Sequence, residues 1–207
     1  MKREEKNQQT KRRILDAALA EFSAQGYAAG STNTICAAQG ISKGIVYHYF
    51  ESKDGLFLAC VSECFQRLTE YIRENMPECE DAERSLEDYF AIRAKFFCSH
   101  PVYQGIFGEA LLSSPAHLRA EIQKCKQCFD DLNIQILEQL LTSFSLRQGI
   151  SKDEVISFFR QFQDFMAVHY QLSNTGGTAF DTYEENCRKV LNILLYGVIE
   201  RKHSEND

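Results

Sequence analysis

Apolar residues recur at the spacing of an α-helix along almost the whole of this chain. The pattern is clear near the start, where Ile14, Leu15, Ala18, Leu19 and Phe22 fall on one helical face. Only 3 of the 207 residues are Pro, so few positions force a helix to stop. The sequence therefore predicts an all-α fold of about nine helices without a convincing strand.

Small polar residues and glycines predict where these helices begin and end. Gly26 is placed to end the first helix, and Ser42, Ser52 and Ser151 are placed to cap later ones. An acidic connector follows Pro77, and a glycine-containing loop is expected over 173–181. The predicted helices cover about 10–25, 32–39, 43–49, 53–75, 86–100, 103–112, 116–144, a stretch after 151, and 182–201.

Charge is distributed unevenly between the two ends of the chain. Residues 1–58 carry 8 Lys and Arg against 6 Asp and Glu, whereas 59–207 carry 15 against 23. The formal net charge of −6 argues weakly against nucleic-acid binding by the chain as a whole. A basic arm on an acidic body instead suggests that only the N-terminal end meets an anion.

Eight cysteines raise the question of thiol or metal chemistry. The first 13 residues are polar, and no apolar run reaches the length of a membrane span. We therefore expect a cytoplasmic location and free cysteines that pack as small hydrophobic residues. Two pairs share helix faces, Cys60 with Cys64 and Cys125 with Cys128. A thiol- or metal-responsive sensor is therefore an alternative function, although no second pair or His stands at partner spacing for zinc.

No catalytic motif accompanies these features. The sequence has no nucleophile elbow, no glycine-rich phosphate loop and no HExxH motif. We therefore expect neither an enzyme nor a resident cofactor or metal.

Two short helices joined at Gly40 and Ile41 are typical of a helix-turn-helix. The second helix of such a unit enters the major groove of DNA through its N-terminal residues. Here Lys43 can reach guanine O6 and N7, and Gly44 allows a close approach of the backbone. Ile45 is expected to point outward, towards a thymine methyl group, and Val46 inward.

The next residues suit contacts with the DNA backbone. Tyr47, His48 and Tyr49 supply three consecutive rings with polar tips, and Lys53 adds a cation at the start of the following helix. Contacts of this kind position a protein on DNA without reading its sequence.

Residues 10–57 resemble the DNA-binding domain of the TetR (tetracycline repressor) family. The matching order and spacing hold across three helices, although Cys36 and Ala37 stand where Ile–Ala is frequent in the family. The upstream residues Phe22, Gly26 and Tyr27 also fit. The resemblance is carried by Thr32-Asn-Thr-Ile35, Ala37-Ala38-Gln39-Gly40-Ile41-Ser42-Lys43-Gly44, Val46-Tyr47-His48-Tyr49-Phe50, Ser52-Lys53 and Leu56-Phe57.

The resemblance implies a homodimer that binds a palindromic operator in double-stranded DNA and usually represses transcription. It implies a helix-turn-helix domain over 1–55 and a ligand-binding and dimerisation domain over 56–207, which releases DNA when a small effector binds. Lys43, Gly44 and Ile45 would lie against bases. The residues that would touch phosphate or sugar are Thr32, Ser42, Tyr47, His48, Tyr49 and Lys53.

Large or polar residues on apolar helix faces predict the lining of an effector pocket. Many rings and few inward charges favour a largely apolar effector. The acidic body also leaves open a cationic effector held by Glu109, Asp130 or Asp164. The candidate lining residues are Tyr89, Arg93, Phe96, Tyr103, Phe107, Phe129, Met166 and His169.

The family layout places the last two helices of each subunit in a four-helix dimer interface. Wide apolar stripes on both helices are compatible with this layout, because a monomer would leave them in water. Packing within one chain is the alternative. The candidate interface residues are Phe158, Phe162, Phe165, Val190, Leu191, Leu194 and Val198.

Overall fold

A computed structural model of the chain describes residues 2–77, 82–142, 145–173 and 179–198. These residues form ten α-helices and one 3₁₀ turn, with no β-strand among them, which confirms the predicted all-α fold. The helices are α1 (Lys2–Ala29), α2 (Thr32–Gln39), α3 (Lys43–Phe50), α4 (Lys53–Asn75), α5 (Ala82–Ser99), α6 (Pro101–Leu112), α7 (Arg119–Cys125), α8 (Gln127–Thr142), α9 (Lys152–Ser173) and α10 (Ala179–Val198).

The predicted long helix over 116–144 is wrong. It is divided into a 3₁₀ turn (Ala116–Leu118), α7 and α8, which raises the helix number from about nine to ten. The break between α7 and α8 is the single residue Lys126, whose ψ is −2°. A single residue between two helices barely shifts the phase of the apolar pattern, so periodicity alone did not reveal the break.

Helix α1 begins earlier than predicted. Its first turns lack an apolar face, so periodicity placed the start near Thr10 and not at Lys2. Gly26 has φ 70° and ψ 174°, and the chain kinks there before a last turn that ends at Ala29. The first helix is therefore interrupted at Gly26, where it was predicted to end, but one more turn follows and the helix ends at Ala29.

Side-chain caps fix several other helix starts. The Ser31 hydroxyl accepts from the Thr34 N–H at 3.5 Å, and the Ser52 hydroxyl accepts from the Gly55 N–H at 3.0 Å. At α9, Ser151 accepts from the Glu154 N–H at 3.2 Å while Glu154 accepts from the Ser151 N–H at 2.9 Å, which is a capping box. Ser42 occupies the cap position of α3, but its side chain makes no capping hydrogen bond.

The loop predicted over 173–181 ends earlier in the structure than the sequence indicated. Helix α9 continues to Ser173 and α10 begins at Ala179, three residues before the predicted start at Thr182. Residues 174–178, the connector residues 78–81 and the predicted end of the last helix at Arg201 lie outside the described residues.

One apolar core runs through both parts of the molecule. Ile14, Phe22, Ile35 and Val46 fill the space between α1, α2 and α3, and are almost completely buried. The same core continues along the buried face of α4 and then between α5, α6, α8, α9 and α10. Helix α4 therefore packs on α1 and α3 at one end and on α5, α7 and α8 further along. No described helix is long and apolar enough to cross a membrane.

Candidate functional site

The turn between α2 and α3 is held by backbone hydrogen bonds. Gly40 has φ 63° and ψ 36°, the left-handed conformation that favours glycine. Its N–H donates to the Ala37 carbonyl at 3.2 Å, and the Ile41 N–H donates to the Cys36 carbonyl at 3.1 Å. Such paired bonds close the end of a helix and fix the direction in which the chain leaves it. The turn thereby sets the angle between α2 and α3.

The buried side of α3 determines which of its residues face solvent. Val46 is fully buried and Phe50 nearly so, and both join the core. The other side of the first turn is open: Ser42, Lys43 and Ile45 are exposed. A side chain added at Gly44 would meet nothing closer than the Ser42 hydroxyl, at 3.8 Å. The N-terminal end of α3 is therefore an uncovered surface.

The other predicted phosphate contacts are distributed differently. His48 is exposed and packs edge-on against Tyr49, whose hydroxyl donates to the Asn7 side chain in α1. Thr32 is buried and accepts from the Tyr47 hydroxyl at 3.4 Å. In this conformation Thr32 and the hydroxyls of Tyr47 and Tyr49 have partners within the protein.

Lys53 is also engaged within the chain. Its ammonium lies 4.7 Å from the centroid of the Tyr27 ring and donates to the Ala28 carbonyl at 3.4 Å. Contact with a phosphate would require this side chain to leave the Tyr27 ring.

Part of the N-terminal basic arm is likewise paired. Arg12 contacts Asp16 and also donates to Glu63 of α4 at 2.6 Å. Arg13 donates to the side chain of Gln39 at 3.1 Å and to its carbonyl at 3.2 Å. These arginines therefore join α1 to α4 and α2, a role that the charge count did not reveal.

Two polar clusters connect the helix-turn-helix to the rest of the chain. In the first, Glu109 of α6 accepts from the Tyr27 N–H at 2.7 Å, directly after the kink of α1. The Tyr27 hydroxyl donates to Asp54 of α4, which also lies 3.3 Å from His117 Nε2. Burial, with the hydrogen bond to Asp54, raises the pKa of Tyr27 to about 12.

The second cluster is centred on Glu63. It accepts from Arg12 of α1 at 2.6 Å and from the Tyr103 hydroxyl of α6 at 2.7 Å. Burial alone would raise the pKa of Glu63, but these two hydrogen bonds outweigh it and the pKa lies below its ordinary value. Sequence reasoning missed this cluster because its members are about 40 and 50 residues from Glu63 along the chain.

A cavity of about 70 Å³ lies among α5, α8, α9 and α10. Its walls are mostly apolar, with a few polar groups, as is typical of small-molecule sites. The lining consists of Ser85, Leu86, Tyr89, Arg93, Leu111, Lys126, Phe129, Asp130, Asn133, Ile136, Leu137, Leu140, Phe159, Phe162, Gln163, Met166, Tyr183, Cys187, Leu191 and Leu195.

Four of the eight predicted pocket residues line this cavity: Tyr89, Arg93, Phe129 and Met166. The other four lie elsewhere. Phe96 stacks on Tyr103 at 5.8 Å, Phe107 is buried in the core, and His169 is exposed and stacks on Phe165 at 5.7 Å.

The three acidic residues considered for a cationic effector also separate. Asp130 lines the cavity but is paired with Lys126 at 2.7 Å, and Glu109 lies at the α1 kink. The side chain of Asp164 lies outside the described residues.

Helices α9 and α10 expose large apolar side chains. Phe158 is 61% exposed, Phe165 63%, Val168 54% and Ile193 70%. Of the remaining residues predicted for a dimer interface, Phe162, Val190, Leu191 and Leu194 are half-buried, and the side chain of Val198 lies outside the described residues. Phe162 and Leu191 face the cavity.

The paired cysteines occupy packed positions. Cys60 and Cys64 are completely buried, and burial raises the pKa of both thiols well above the ordinary value. Burial also raises the pKa of Cys125. A raised pKa disfavours the thiolate, which is the reactive and metal-binding form. Within the described parts of the chain, no three His, Cys, Asp or Glu side chains are grouped to hold a metal ion.

Comparison with known proteins identifies the helix-turn-helix part directly. Residues 14–60 match the family model of bacterial regulatory proteins, tetR family. This stretch of the chain is a TetR-family DNA-binding domain. The match covers α2 and α3, most of α1 and the start of α4, so the chain is a transcriptional regulator with a TetR-type DNA-binding domain.

Sequence similarity to curated relatives extends beyond that domain. The chain is 22% identical over 190 residues to the negative transcriptional regulator IcaR of the biofilm operon of Staphylococcus epidermidis, covering 89% of this chain and 98% of IcaR. It is 28% identical over 144 residues to the transcriptional repressor AcnR of Corynebacterium glutamicum, covering 64% of this chain and 76% of AcnR.

Solved structures share the whole fold. FadR of Bacillus subtilis in complex with stearoyl-CoA superposes with a TM-score of 0.63 at 18% identity, covering 89% of this chain and 97% of FadR. The fatty acid degradation regulator FadR of Bacillus halodurans gives 0.61 at 20% identity, with the same coverage. Both comparisons confirm the fold of this chain.

Proposed function

We propose that this TetR-family chain is a homodimeric repressor that binds a palindromic operator and leaves it when a small, largely apolar effector enters the cavity. The observation that carries the DNA-binding part is the uncovered N-terminal end of α3 on a turn fixed at Gly40. Repression is supported by the similarity to IcaR and AcnR, which are negative regulators.

The exposed first turn of α3 supplies different kinds of contact with DNA. Lys43 would donate to a guanine edge, and Ile45 would pack against a thymine methyl group. Gly44 allows the helix end to approach closely, and Ser42 would donate to a phosphate because its hydroxyl is not used as a cap. His48, exposed on the next turn, would add a backbone contact.

The proposed homodimer buries the exposed apolar side chains of α9 and α10. Phe165 and Ile193 are large and mostly exposed, and a monomer would hold them in water. A two-fold axis through this surface would place two copies of α3 on one face of DNA. They would read half-sites that lie about 34 Å apart, one helical turn of DNA.

Effector binding is supported by the cavity and by the fold comparison. The cavity combines apolar walls with a small set of polar groups. FadR of Bacillus subtilis, which has the same fold, was solved with stearoyl-CoA. The alternative of a thiol or metal sensor is disfavoured because burial raises the pKa of Cys60, Cys64 and Cys125.

Helices α4 and α6 would couple the cavity to the helix-turn-helix. Helix α4 packs on α8, which lines the cavity, and also on α1 and α3 of the helix-turn-helix. The contacts of Glu63 and Glu109 tie α1 to both helices. A ligand between the body helices would shift α4 and change the spacing of the two recognition helices. It can do so only by its difference in affinity for the two arrangements.

Binding to the intergenic DNA beside the chain's own gene tests this function. A gel-shift titration at two salt concentrations should give a tight complex with this DNA and a much weaker, strongly salt-dependent one with random DNA. Equal affinity for both DNAs would refute specific binding to an operator in this intergenic DNA. Retention of operator by the fully effector-bound protein would refute the release mechanism while leaving DNA binding intact.

A further inference from the structure

The cavity contains one cation enclosed by aromatic rings. Arg93 is only 5% exposed and is one of the lining residues. Its guanidinium lies 5.2 to 5.6 Å from the ring centroids of Tyr89, Phe90, Phe107 and Phe129. Rings at these distances stabilise the cation and hold the orientation of its plane.

Two of the three guanidinium nitrogens of Arg93 have hydrogen-bond partners. Nη1 donates to the Tyr89 hydroxyl at 3.1 Å, and Nη2 pairs with the Glu184 carboxylate. The Tyr89 hydroxyl in turn donates to the Asn133 side chain at 2.6 Å. These contacts fix the position of Arg93 from α8 and α10 as well as from its own helix.

The third guanidinium nitrogen of Arg93, Nε, is not used. Its Nε–H is buried and has no hydrogen-bond partner among the described residues. A buried donor without an acceptor is costly to the folded state, and the great majority of buried polar groups in proteins have a hydrogen-bond partner. The group is a donor only, so what completes it must be an acceptor.

Charges in the cavity are already balanced. Glu184 neutralises Arg93, and Asp130 accepts from the Lys126 ammonium at 2.7 and 2.8 Å. A carboxylate added by a ligand would be an extra buried charge beside Glu184, and such a charge is strongly disfavoured. A cation would find no unpaired carboxylate at either pair and would be repelled by Arg93. The balance therefore favours an uncharged ligand.

We infer that the effector is a neutral, largely apolar molecule whose carbonyl oxygen, as in an ester, lactone, ketone or amide, accepts a hydrogen bond from Arg93 Nε. This inference rests on the proposed function, in which the cavity is the effector site. It adds the chemical class of the ligand and the residue that recognises its polar atom.

Three probes built on an eight-carbon chain test the charge and the acceptor: methyl octanoate, octanoate and octylammonium. The full-length chain is titrated with each, and the melting temperature is followed. Methyl octanoate should raise the melting temperature most, since a ligand that binds only the folded state stabilises it in proportion to occupancy. Octylammonium should have no effect. Failure of the ester to stabilise the protein, or stronger stabilisation by either charged probe, overturns the inference.

Variants then assign the contact to Arg93. Arg93→Lys keeps a cation for Glu184 but removes the Nε–H, and should weaken methyl octanoate binding about tenfold or more. The double variant R93M/E184M removes both charges together, so its folding does not depend on an unpaired carboxylate, and it should show the same loss. Leu118→Met keeps the volume of a buried residue that does not line the cavity and should bind as the parent does. Parent-like ester binding by Arg93→Lys and the double variant overturns the assignment.

Gel shifts on the same preparations separate this inference from the proposed function. Operator binding without ester binding refutes the ligand class alone. If the ligand-free parent protein does not bind operator DNA specifically, the proposed regulatory function is refuted, whatever the result with the three probes.

Discussion

The backbone of Gly105 in α6 lies directly against Ser23 in α1. A β-carbon built on Gly105 would stand 2.3 Å from the Ser23 hydroxyl oxygen and 2.8 Å from its carbonyl oxygen. No real side chain can occupy that space without moving one helix. The close crossing of α1 and α6 therefore depends on glycine at this position.

Gly105→Ala should separate α1 from α6 and lower the free energy of unfolding by about 1–3 kcal/mol, the usual cost of overpacking. Urea unfolding of the full chain measures this loss. Gly108→Ala is the matched control, because it lies in the same helix and an added β-carbon would meet nothing within 4 Å. The control should be neutral or gain up to about 1 kcal/mol from its better helix propensity. Equal stability changes in the two variants would contradict the crossing.

Sequence patterns predicted the parts of this fold that depend on local physics. The caps at Ser52 and Ser151 follow from short-range hydrogen bonds, and the inward direction of Val46 follows from helical spacing. The first turn of α1 could not be found in this way, because it has no apolar face. The role of Gly105 could not be found either, since Ser23 is far away along the chain.

The cavity shows the same limit. Aromatic residues such as Phe107 and Tyr89 look alike in a sequence, yet one lies in the core and the other lines the cavity. Which side of a helix meets a void depends on the angle at which helices cross, and this angle depends on side chains from several elements. Asn133 lines the cavity for the same reason and carried no signal of its own.

The contacts of Glu63 with Arg12 of α1 and Tyr103 of α6 make the stability of the protein depend on pH. The pKa of Glu63 is lowered in the folded protein. Glu63 therefore stabilises the protein at pH values above its unfolded pKa, and this stabilisation is lost as the pH falls through its folded pKa. Glu63→Gln should therefore lower the free energy of unfolding by about 1–3 kcal/mol at pH 7. The difference from the parent should shrink as the pH falls below about 4.3, the usual pKa of glutamate.

Urea midpoints of both proteins at pH 7 and at low pH measure this difference. Asp16→Asn is the control: Asp16 also contacts Arg12, but its side chain is 54% exposed. An exposed pair contributes about 0–1 kcal/mol, so this variant should follow the parent. A Glu63→Gln deficit that is the same at every pH would contradict the assignment of the ionised carboxylate.

Lys43 and Lys53 should affect DNA binding in different ways. Lys43→Ala should reduce discrimination between operator and random DNA by about 1–3 kcal/mol, because an exposed lysine at the open end of α3 would contact base edges. Lys53→Ala should weaken binding to both DNAs and lower the salt slope by about 1. Gel shifts over a range of salt measure both effects. An equal loss on both DNAs for Lys43→Ala would assign Lys43 to the phosphate backbone.

Phe165 should be required for the dimer. It is 63% exposed on α9, and an aspartate there would place a charge in the middle of the proposed interface. Phe165→Asp should therefore elute as a monomer in light-scattering chromatography and lose most of its operator affinity, since one recognition helix alone makes half of the contacts. Val102→Asp is the matched control, because Val102 is also an exposed apolar residue, at 37%, but lies on α6. A dimeric Phe165→Asp beside a monomeric Val102→Asp would move the interface away from α9 and α10.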